Sequence, residues 1–178
     1  MLNNLYLMVG PSGVGKTTIA NELTRRYGYF QVNPYTTRPR RGDDEGGYIF
    51  ISEQQFQNLP NKIACVNYHG HFYGATAELL DRNDLYIVEP SGIDAVKQSY
   101  HNRKVFVIGL NASDFTTKQR MQQRGDVLPY ILDRQKTDAE IFKGFGKKCD
   151  ILIMNCNIEI TIQKIHNFIA SKELEAFS

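Results

Sequence analysis

The sequence predicts an α/β fold in which helices cover both faces of a parallel sheet. Short apolar runs that resemble buried strands begin at Leu5, Leu85, Val105 and Ile151, and a longer segment with helical periodicity follows each of them. This alternation is typical of three-layer α/β/α domains, because parallel strands are joined by helices that pack on the sheet. A chain of 178 residues is long enough to bury one such core.

The first of these units is a strand over Leu5–Val9 followed by a helix over 17–27. The strand contains only aliphatic and aromatic residues, as strands buried on both faces do. Ile19 and Leu23 lie on one face of the helix, four residues apart. Gly28 is expected to end the helix, because glycine readily adopts the left-handed conformation found at helix C-termini.

Residues 34–80 interrupt the alternation, so we expect them to form a lobe inserted into a core made of residues 1–33 and 81–178. The segment 34–47 is rich in proline, glycine and charged residues, and we predict that it is a loop. The rest of the lobe is predicted to contain short strands and one helix that begins with a capping box. The strands are expected at 48–51, 63–68 and 71–73, and the capping box at Ser52 and Gln55.

The second half of the chain returns to alternating strands and helices. Apolar runs predict three further strands, at 85–88, 105–110 and 151–154. Helices are predicted at 93–100 with Ser91 as the cap, at 113–123, at 130–145 and from 158 onward. Residues 124–130 separate two of these helices, and we expect a short lid there.

Composition excludes some classes of function. The net charge of +2, from 21 Lys and Arg against 19 Asp and Glu, is too small to indicate nucleic-acid binding. No apolar run approaches the roughly 20 residues that cross a bilayer, so we expect no membrane partner. Three cysteines without a CxxC pair, Cys65, Cys149 and Cys156, are typical of reduced core thiols in a cytoplasmic protein. Both a monomer and a homodimer remain open.

The strongest motif is a glycine-rich loop between the first strand and the first helix, which fits the pattern GxxxxGK[ST] completely. Glycines let backbone N–H groups point inward as a nest for phosphate oxygens, and the following helix adds the positive end of its dipole. Lys16 is expected to contact the outer phosphates of a nucleotide, and Thr17 to bind Mg²⁺. The residues predicted to bind the nucleotide are Gly10, Pro11, Ser12, Gly13, Val14, Gly15, Lys16, Thr17 and Thr18.

A second candidate phosphate site lies in the lobe, where Arg38, Arg40 and Arg41 occupy three of four successive positions. Arginine binds phosphate bidentately, and a rigid loop lowers the entropic cost of ordering it. Tyr48 and Tyr73 belong to the same predicted lobe, and each can donate its hydroxyl to a phosphate oxygen. A solvated basic turn is the alternative interpretation of the arginines.

Several motifs occur in the order found in guanylate kinases, and the chain resembles that family over nearly its whole length. They are the phosphate loop, Tyr35-Thr36-Thr37-Arg38-Pro39, Gly47-Tyr48-Ile49-Phe50-Ile51-Ser52 with Phe56, and Gly70-His71-Phe72-Tyr73-Gly74. The resemblance implies a P-loop kinase that uses ATP and Mg²⁺ to phosphorylate a nucleoside monophosphate, with GMP as first choice. It also implies that the lobe binds the acceptor phosphate, through Arg38, Arg41 (or Arg40), Tyr48 and Tyr73.

An arginine-bearing stretch around the predicted lid resembles the lid of the same family. The resemblance implies catalytic roles for Arg120, Arg124 and Arg134. Arginines on a closing segment stabilise the negative charge that spreads over a phosphoryl group during its transfer. The last predicted strand is also similar to that of the family, whose asparagine approaches the adenine of ATP. Asn155 holds this position, and a simple turn residue is the alternative.

The chain departs from the family where the guanine base is recognised. Guanylate kinases use a serine, a glutamate and a serine or threonine there, and the matching positions hold Pro34, Ala64 and Ala75. Alanine cannot replace a carboxylate that accepts hydrogen bonds from the guanine N1–H and amino group. Thr76 is a candidate for the lost hydroxyl. Glu89, at the end of a core strand, is a candidate for a substrate or magnesium contact.

These departures leave three functions open. The first is a guanylate kinase with altered base contacts. The second is a kinase of the same fold for another nucleotide or for ribose 1,5-bisphosphate, since kinases of that sugar phosphate share a Tyr-x-Thr-Arg-Pro motif. The third is a guanylate-kinase-like binding module without catalysis. The intact Gly15-Lys16-Thr17 disfavours it, because such modules usually lose these residues.

Overall fold

The computed structural model describes residues 1–40, 46–68 and 70–176 and confirms the predicted α/β fold. Four parallel strands form the core sheet in the order β6-β1-β7-β8, and a second sheet has the order β3-β2-β5-β4. Along the chain the elements are β1 (Leu5–Val9), α1 (Lys16–Tyr27), β2 (Tyr35–Thr36), β3 (Ile49–Phe50), α2 (Glu53–Gln57), β4 (Lys62–Tyr68), β5 (His71–Thr76), α3 (Ala77–Asp81), β6 (Leu85–Ile87), α4 (Pro90–Ser99), β7 (Val105–Asn111), α5 (Asp114–Gln123), α6 (Leu128–Ile141), β8 (Ile151–Met154) and α7 (Ile158–Glu175).

Helices cover both faces of the core sheet, which gives the predicted three layers. Tyr6 and Met8 of β1 pack into one buried cluster with apolar residues of α1 and α7. Leu5 and Leu7 alternate with them and pack into a second cluster that includes Ile93 of α4. All residues of β1 are buried, as predicted from its uninterrupted apolar run.

The inserted lobe is a small sheet that packs directly on the core. Its strand β2 pairs in parallel with β3 and antiparallel with β5, and β5 pairs antiparallel with β4. Ile63 and Ala75 of the lobe are buried in the same cluster as Tyr86 of β6 and Val96 of α4. This shared apolar cluster anchors the lobe beside the carboxyl end of the core sheet.

Two local predictions about the lobe and the segment after it are wrong, and one helix was missed. The predicted loop 34–47 contains β2, a two-residue strand whose pairing comes from β3 and β5 rather than from its own sequence. Helix α3 was not expected, and Thr76 caps it by accepting a hydrogen bond from the Leu79 amide at 3.2 Å. Ser91 is not a helix cap, because Pro90 already occupies the first turn of α4 and Glu89 precedes it as the cap residue.

The other predicted elements are confirmed with shifted ends. The capping box at Ser52 and Gln55 forms as predicted. Helix α6 ends at Ile141, and 145–148 is a separate 3₁₀ turn after Gly144, which has the left-handed φ of 73°.

The cysteines are free, as expected, but they are not all core residues. Cys65 and Cys156 are exposed and Cys149 is half-buried. In the described part of the chain, no helix has the length and apolar character that crossing a membrane requires.

Asp84 is a buried carboxylate whose removal should destabilise the fold. It accepts hydrogen bonds from the backbone amides of Leu2 at 2.8 Å and Phe30 at 2.9 Å, and it lies 3.8 Å from the guanidinium of Arg103. We expect Asp84→Ala to lower the free energy of unfolding by about 3–5 kcal/mol, because it leaves two amides without their acceptor and the largely buried Arg103 without its counter-charge.

Urea denaturation followed by circular dichroism measures this loss. Asp94→Ala is the matched control, because Asp94 pairs with Lys148 at the surface and should contribute only about 0–1 kcal/mol. Equal effects of the two substitutions would contradict the structural role of Asp84.

Candidate active site

The loop Gly10–Thr17 turns sharply between β1 and α1, as its glycines allow. Gly13 and Gly15 have φ angles of 72° and 99°, which side chains with a Cβ rarely adopt. A Cβ on Gly13 would also lie 2.7 Å from the carbonyl oxygen of Thr117. The loop therefore brings successive backbone amides to the N-terminus of α1, where the helix dipole favours anions.

Lys16 lies inside this loop, with its ammonium group on backbone carbonyls. Its Nζ donates to the carbonyl oxygens of Gly10 at 2.5 Å and Pro11 at 3.0 Å. Burial lowers the pKa of the Lys16 ammonium group to about 8. The side chain is thus held at the anion-binding nest but remains easier to deprotonate than an exposed lysine.

Four charged side chains from other elements act on Lys16. Asp138 and Glu89 raise the pKa of its ammonium group, whereas Arg134 and Arg124 lower it. They belong to the end of β6, the end of α5 and the middle of α6, so these segments converge on the loop. The structure therefore brings together four of the residues predicted from the sequence, together with Asp138.

Oxygen ligands suitable for Mg²⁺ are present in the first turn of α1 and after β6. Thr17 and Thr18 are exposed in the first turn of α1. Glu89 is exposed directly after β6, and its side chain makes no capping hydrogen bond within the described residues. Hydroxyl and carboxylate oxygens are the ligands that Mg²⁺ prefers, so these residues fit a magnesium–nucleotide complex.

The three arginines predicted to be catalytic have different surroundings. Arg120 donates to the backbone carbonyl oxygens of Val14 at 3.0 Å and Asn155 at 3.1 Å, so it connects the backbone of the loop to the residue after β8. Arg134 donates from Nε to the Ser12 hydroxyl at 2.8 Å. Arg124 is 62% exposed at the end of α5 and pairs with Asp126. Arg134 thus contacts a side chain of the loop, whereas Arg120 contacts backbone carbonyl oxygens.

Asn155 is buried against the loop, with only 2% of its surface exposed. Its amide donates to the Val14 carbonyl oxygen at 2.8 Å and accepts from the Thr161 hydroxyl at 3.0 Å. Through these hydrogen bonds Asn155 connects the loop to α7. The predicted approach to adenine stays a prediction.

The residues predicted to hold the acceptor phosphate form a cluster in the lobe. The Arg38 guanidinium lies 5.7 Å from the ring centroid of Tyr48 and 5.5 Å from that of Phe50. The rings of Tyr48 and Tyr73 meet edge to face with centroids 6.0 Å apart. Arg41 lies outside the described residues.

The three positions matched to guanine recognition are apolar, and they are buried or partly buried. Ala75 is fully buried, and Ala64 adopts a left-handed φ of 53° beside a register shift in β4. Thr76, the candidate for the missing hydroxyl, is 4% exposed and accepts the Leu79 amide as the cap of α3. Pro34 is half-buried and carries no polar side-chain atom.

Sequence reasoning missed Asp138, a buried residue in contact with the loop. Its carboxylate accepts the backbone amide of Ser12 at 2.6 Å. The available signal was its spacing, because a residue four positions after Arg134 lies on the same face of the helix. One aspartate in a polar helix gives no other indication of a contact with a distant loop.

The structure has a nucleotide-binding loop at the carboxyl edge of a parallel sheet and a separate arginine–tyrosine cluster in an inserted lobe. This combination defines a P-loop phosphotransferase with two substrate regions. Comparison with known proteins identifies the family. The family described as guanylate kinase matches residues 2–172, and the chain belongs to the guanylate kinase family.

Individual relatives agree with this assignment. The chain is 28% identical to a guanylate kinase of Legionella pneumophila (strain Paris), over 96% of this chain and 87% of that protein. It is 28% identical to a guanylate kinase of Thermotoga maritima, over 97% of this chain and 88% of that protein. The crystal structure of guanylate kinase from Anaplasma phagocytophilum has the same fold, with a TM-score of 0.68 and 21% identity over 97% of this chain and 87% of that chain.

The lowered pKa of Lys16 predicts pH-dependent binding of ATP. The ammonium group loses its proton as the pH rises through about 8, so its attraction for phosphate is present below that pH and lost above it. We expect ATP affinity to fall by up to about 25-fold between pH 7.5 and 9.5, because the fraction of the protein that carries protonated Lys16 falls by about that factor over this range.

Isothermal titration calorimetry in buffers of different ionisation enthalpy measures both the affinity and the proton uptake near pH 8. Lys16→Met should bind ATP weakly, without a step near that pH. A step of the same size in the variant would contradict the assignment of this titration to Lys16.

Proposed function

We propose that this protein transfers the γ-phosphoryl group of ATP to a nucleoside monophosphate, with GMP as the first candidate acceptor. The observation that carries the proposal is the pairing of the Lys16 loop with the separate cluster of Arg38, Tyr48 and Tyr73. A protein that only hydrolysed ATP would have no use for a second phosphate-binding cluster.

Each part of the site has a defined task in this reaction. The loop amides and Lys16 hold the donor phosphates, and Thr17 is the proposed magnesium ligand, with Glu89 as a further candidate. Magnesium, when bound, neutralises charge on the outer phosphates of ATP. Arg134 contacts Ser12 of the loop, and its guanidinium is proposed to stabilise the charge on the phosphoryl group in transfer.

The acceptor requires positioning more than activation. Its attacking oxygen belongs to a phosphate that is already ionised, so no general base is needed. Arg38, Tyr48 and Tyr73 are proposed to orient this phosphate in line with the donor. Closure of the lid and the lobe would exclude water and limit hydrolysis of ATP.

A second candidate is a kinase of the same fold that acts on another phosphorylated acceptor, including ribose 1,5-bisphosphate. The apolar positions Ala64, partly buried, and Ala75, buried, favour it, because their side chains supply no hydrogen bond to a guanine base. A binding module without catalysis is disfavoured by the intact loop. Binding of small molecules only, a monomeric or homodimeric state and a cytoplasmic location also stay predictions.

ADP formation with a panel of acceptors separates these functions. GMP, dGMP, dTMP, UMP and ribose 1,5-bisphosphate should be tested at equal concentration with ATP and Mg²⁺. The proposal expects the largest kcat/KM with a nucleoside monophosphate. Turnover with the sugar phosphate alone would support the second candidate, and weak ATP binding without any turnover would support the module.

The preferred acceptor then tests the lobe cluster. We expect Arg38→Ala to lower kcat/KM for the acceptor about 10- to 100-fold, because it removes a charge-assisted contact to phosphate. The affinity for ATP should change by less than about twofold, since Arg38 belongs to the lobe.

Arg25→Ala is the matched control for this measurement, because Arg25 is exposed and pairs with Glu22 on α1. An unchanged kcat/KM in Arg38→Ala would contradict the assignment of the acceptor phosphate to this cluster.

A further inference from the structure

One buried carboxylate has no task in the proposed reaction. Asp138 lies on α6 with 6% of its surface exposed, and its Oδ2 accepts the backbone amide of Ser12 at 2.6 Å. Ser12 belongs to the phosphate-binding loop. A carboxylate from a distant helix thus contacts a loop whose purpose is to attract anions.

The contact includes an arginine as well. Arg134 lies one helical turn before Asp138, and its Nε is 3.7 Å from Oδ1 of Asp138 and 2.8 Å from the Ser12 hydroxyl. The two members of this ion pair therefore hold Ser12 at both of its polar groups, the carboxylate at the amide and the guanidinium at the side chain. The triangle of Asp138, Arg134 and Ser12 fixes α6 to the loop.

A carboxylate at this place opposes the binding of ATP through charge repulsion. Its field already acts on the loop, because Asp138 raises the pKa of the Lys16 ammonium group. Packing alone would be served by an apolar residue, which carries no desolvation cost. A benefit must therefore offset the cost of burying this carboxylate. The geometry indicates that the benefit is orientation of the Arg134 guanidinium.

We infer that Asp138 is a positioning residue that orients Arg134 toward the phosphoryl group in transfer and ties the movement of α6 to the phosphate-binding loop. This inference rests on the proposed function only in that Arg134 acts on the transferred group. Orientation of this kind has a large effect on rate, because an arginine that must be ordered during the reaction stabilises the transition state less.

A double-mutant cycle on kcat tests the inference. Asp138→Ala and Arg134→Ala should each lower kcat about 10- to 100-fold, as expected for the loss of one transition-state contact. If Asp138 acts through Arg134, the double variant should be no slower than Arg134→Ala within about twofold. Measured at a pH well below 8, where Lys16 stays protonated, the affinity for ATP should stay equal or increase in Asp138→Ala, because the substitution removes a negative charge.

Two further variants keep the result independent of folding defects. Asp138→Asn keeps an acceptor for the Ser12 amide but not the charge, and it should lower kcat as Asp138→Ala does. Asp133→Ala removes an exposed carboxylate of the same helix and should leave kcat unchanged. A cavity of about 180 Å³ borders Asp138, so water can enter the space that the alanine variant leaves.

Independent, multiplying losses in kcat would overturn the inference, as would an Asp138→Ala variant with unaltered kcat or with weaker ATP binding. Because Arg134 acts on the transferred group whatever receives it, the same cycle can be measured on slow ATP hydrolysis. Absence of turnover with every acceptor would therefore overturn the proposed function, whereas absence of coupling in hydrolysis would overturn the role of Asp138.

Discussion

The burial of the Lys16 ammonium group among the carbonyl oxygens of its own loop is the interaction on which the site depends. Desolvation makes the charged form of this lysine costly, so the surroundings must favour the proton for phosphate to be attracted. Asp138 and Glu89 supply that support from α6 and from the end of β6. The loop, the carboxyl edge of the sheet and the helices after it therefore form one electrostatic unit.

Much of this unit could be predicted from the sequence, because its determinants are local. The loop requires glycines at the positions with left-handed φ, and Gly13 and Gly15 are visible in the motif. The strand before the loop and the helix after it follow from apolar periodicity, and both occur where predicted. The capping box at Ser52 is likewise a contact between near neighbours.

Several of the features that were missed depend on pairs of residues distant in sequence. Strand β2 has two residues and exists because β3 and β5 lie beside it. The contact of Asp138 with Ser12 spans 126 positions in the sequence, and no local pattern encodes it. Arg120 is another residue whose contacts are distant in sequence. The sequence predicted a catalytic arginine there, whereas in the structure its guanidinium donates to the carbonyl oxygens of Val14 and Asn155.

A nucleotide acceptor requires two kinds of contact from the lobe, one to its phosphate and one to its base. Phosphate is held by charge, and in the proposed function Arg38 with its neighbouring tyrosines provides the groups for that. A base is selected mainly by polar groups that a wrong base would leave unpaired, and such groups give far stronger discrimination than apolar contacts do. Ala64 and Ala75 carry no such group and instead pack in the apolar cluster shared with the core sheet. Binding energy for the acceptor must then come chiefly from its phosphate, and discrimination among acceptors from the shape of the remaining space.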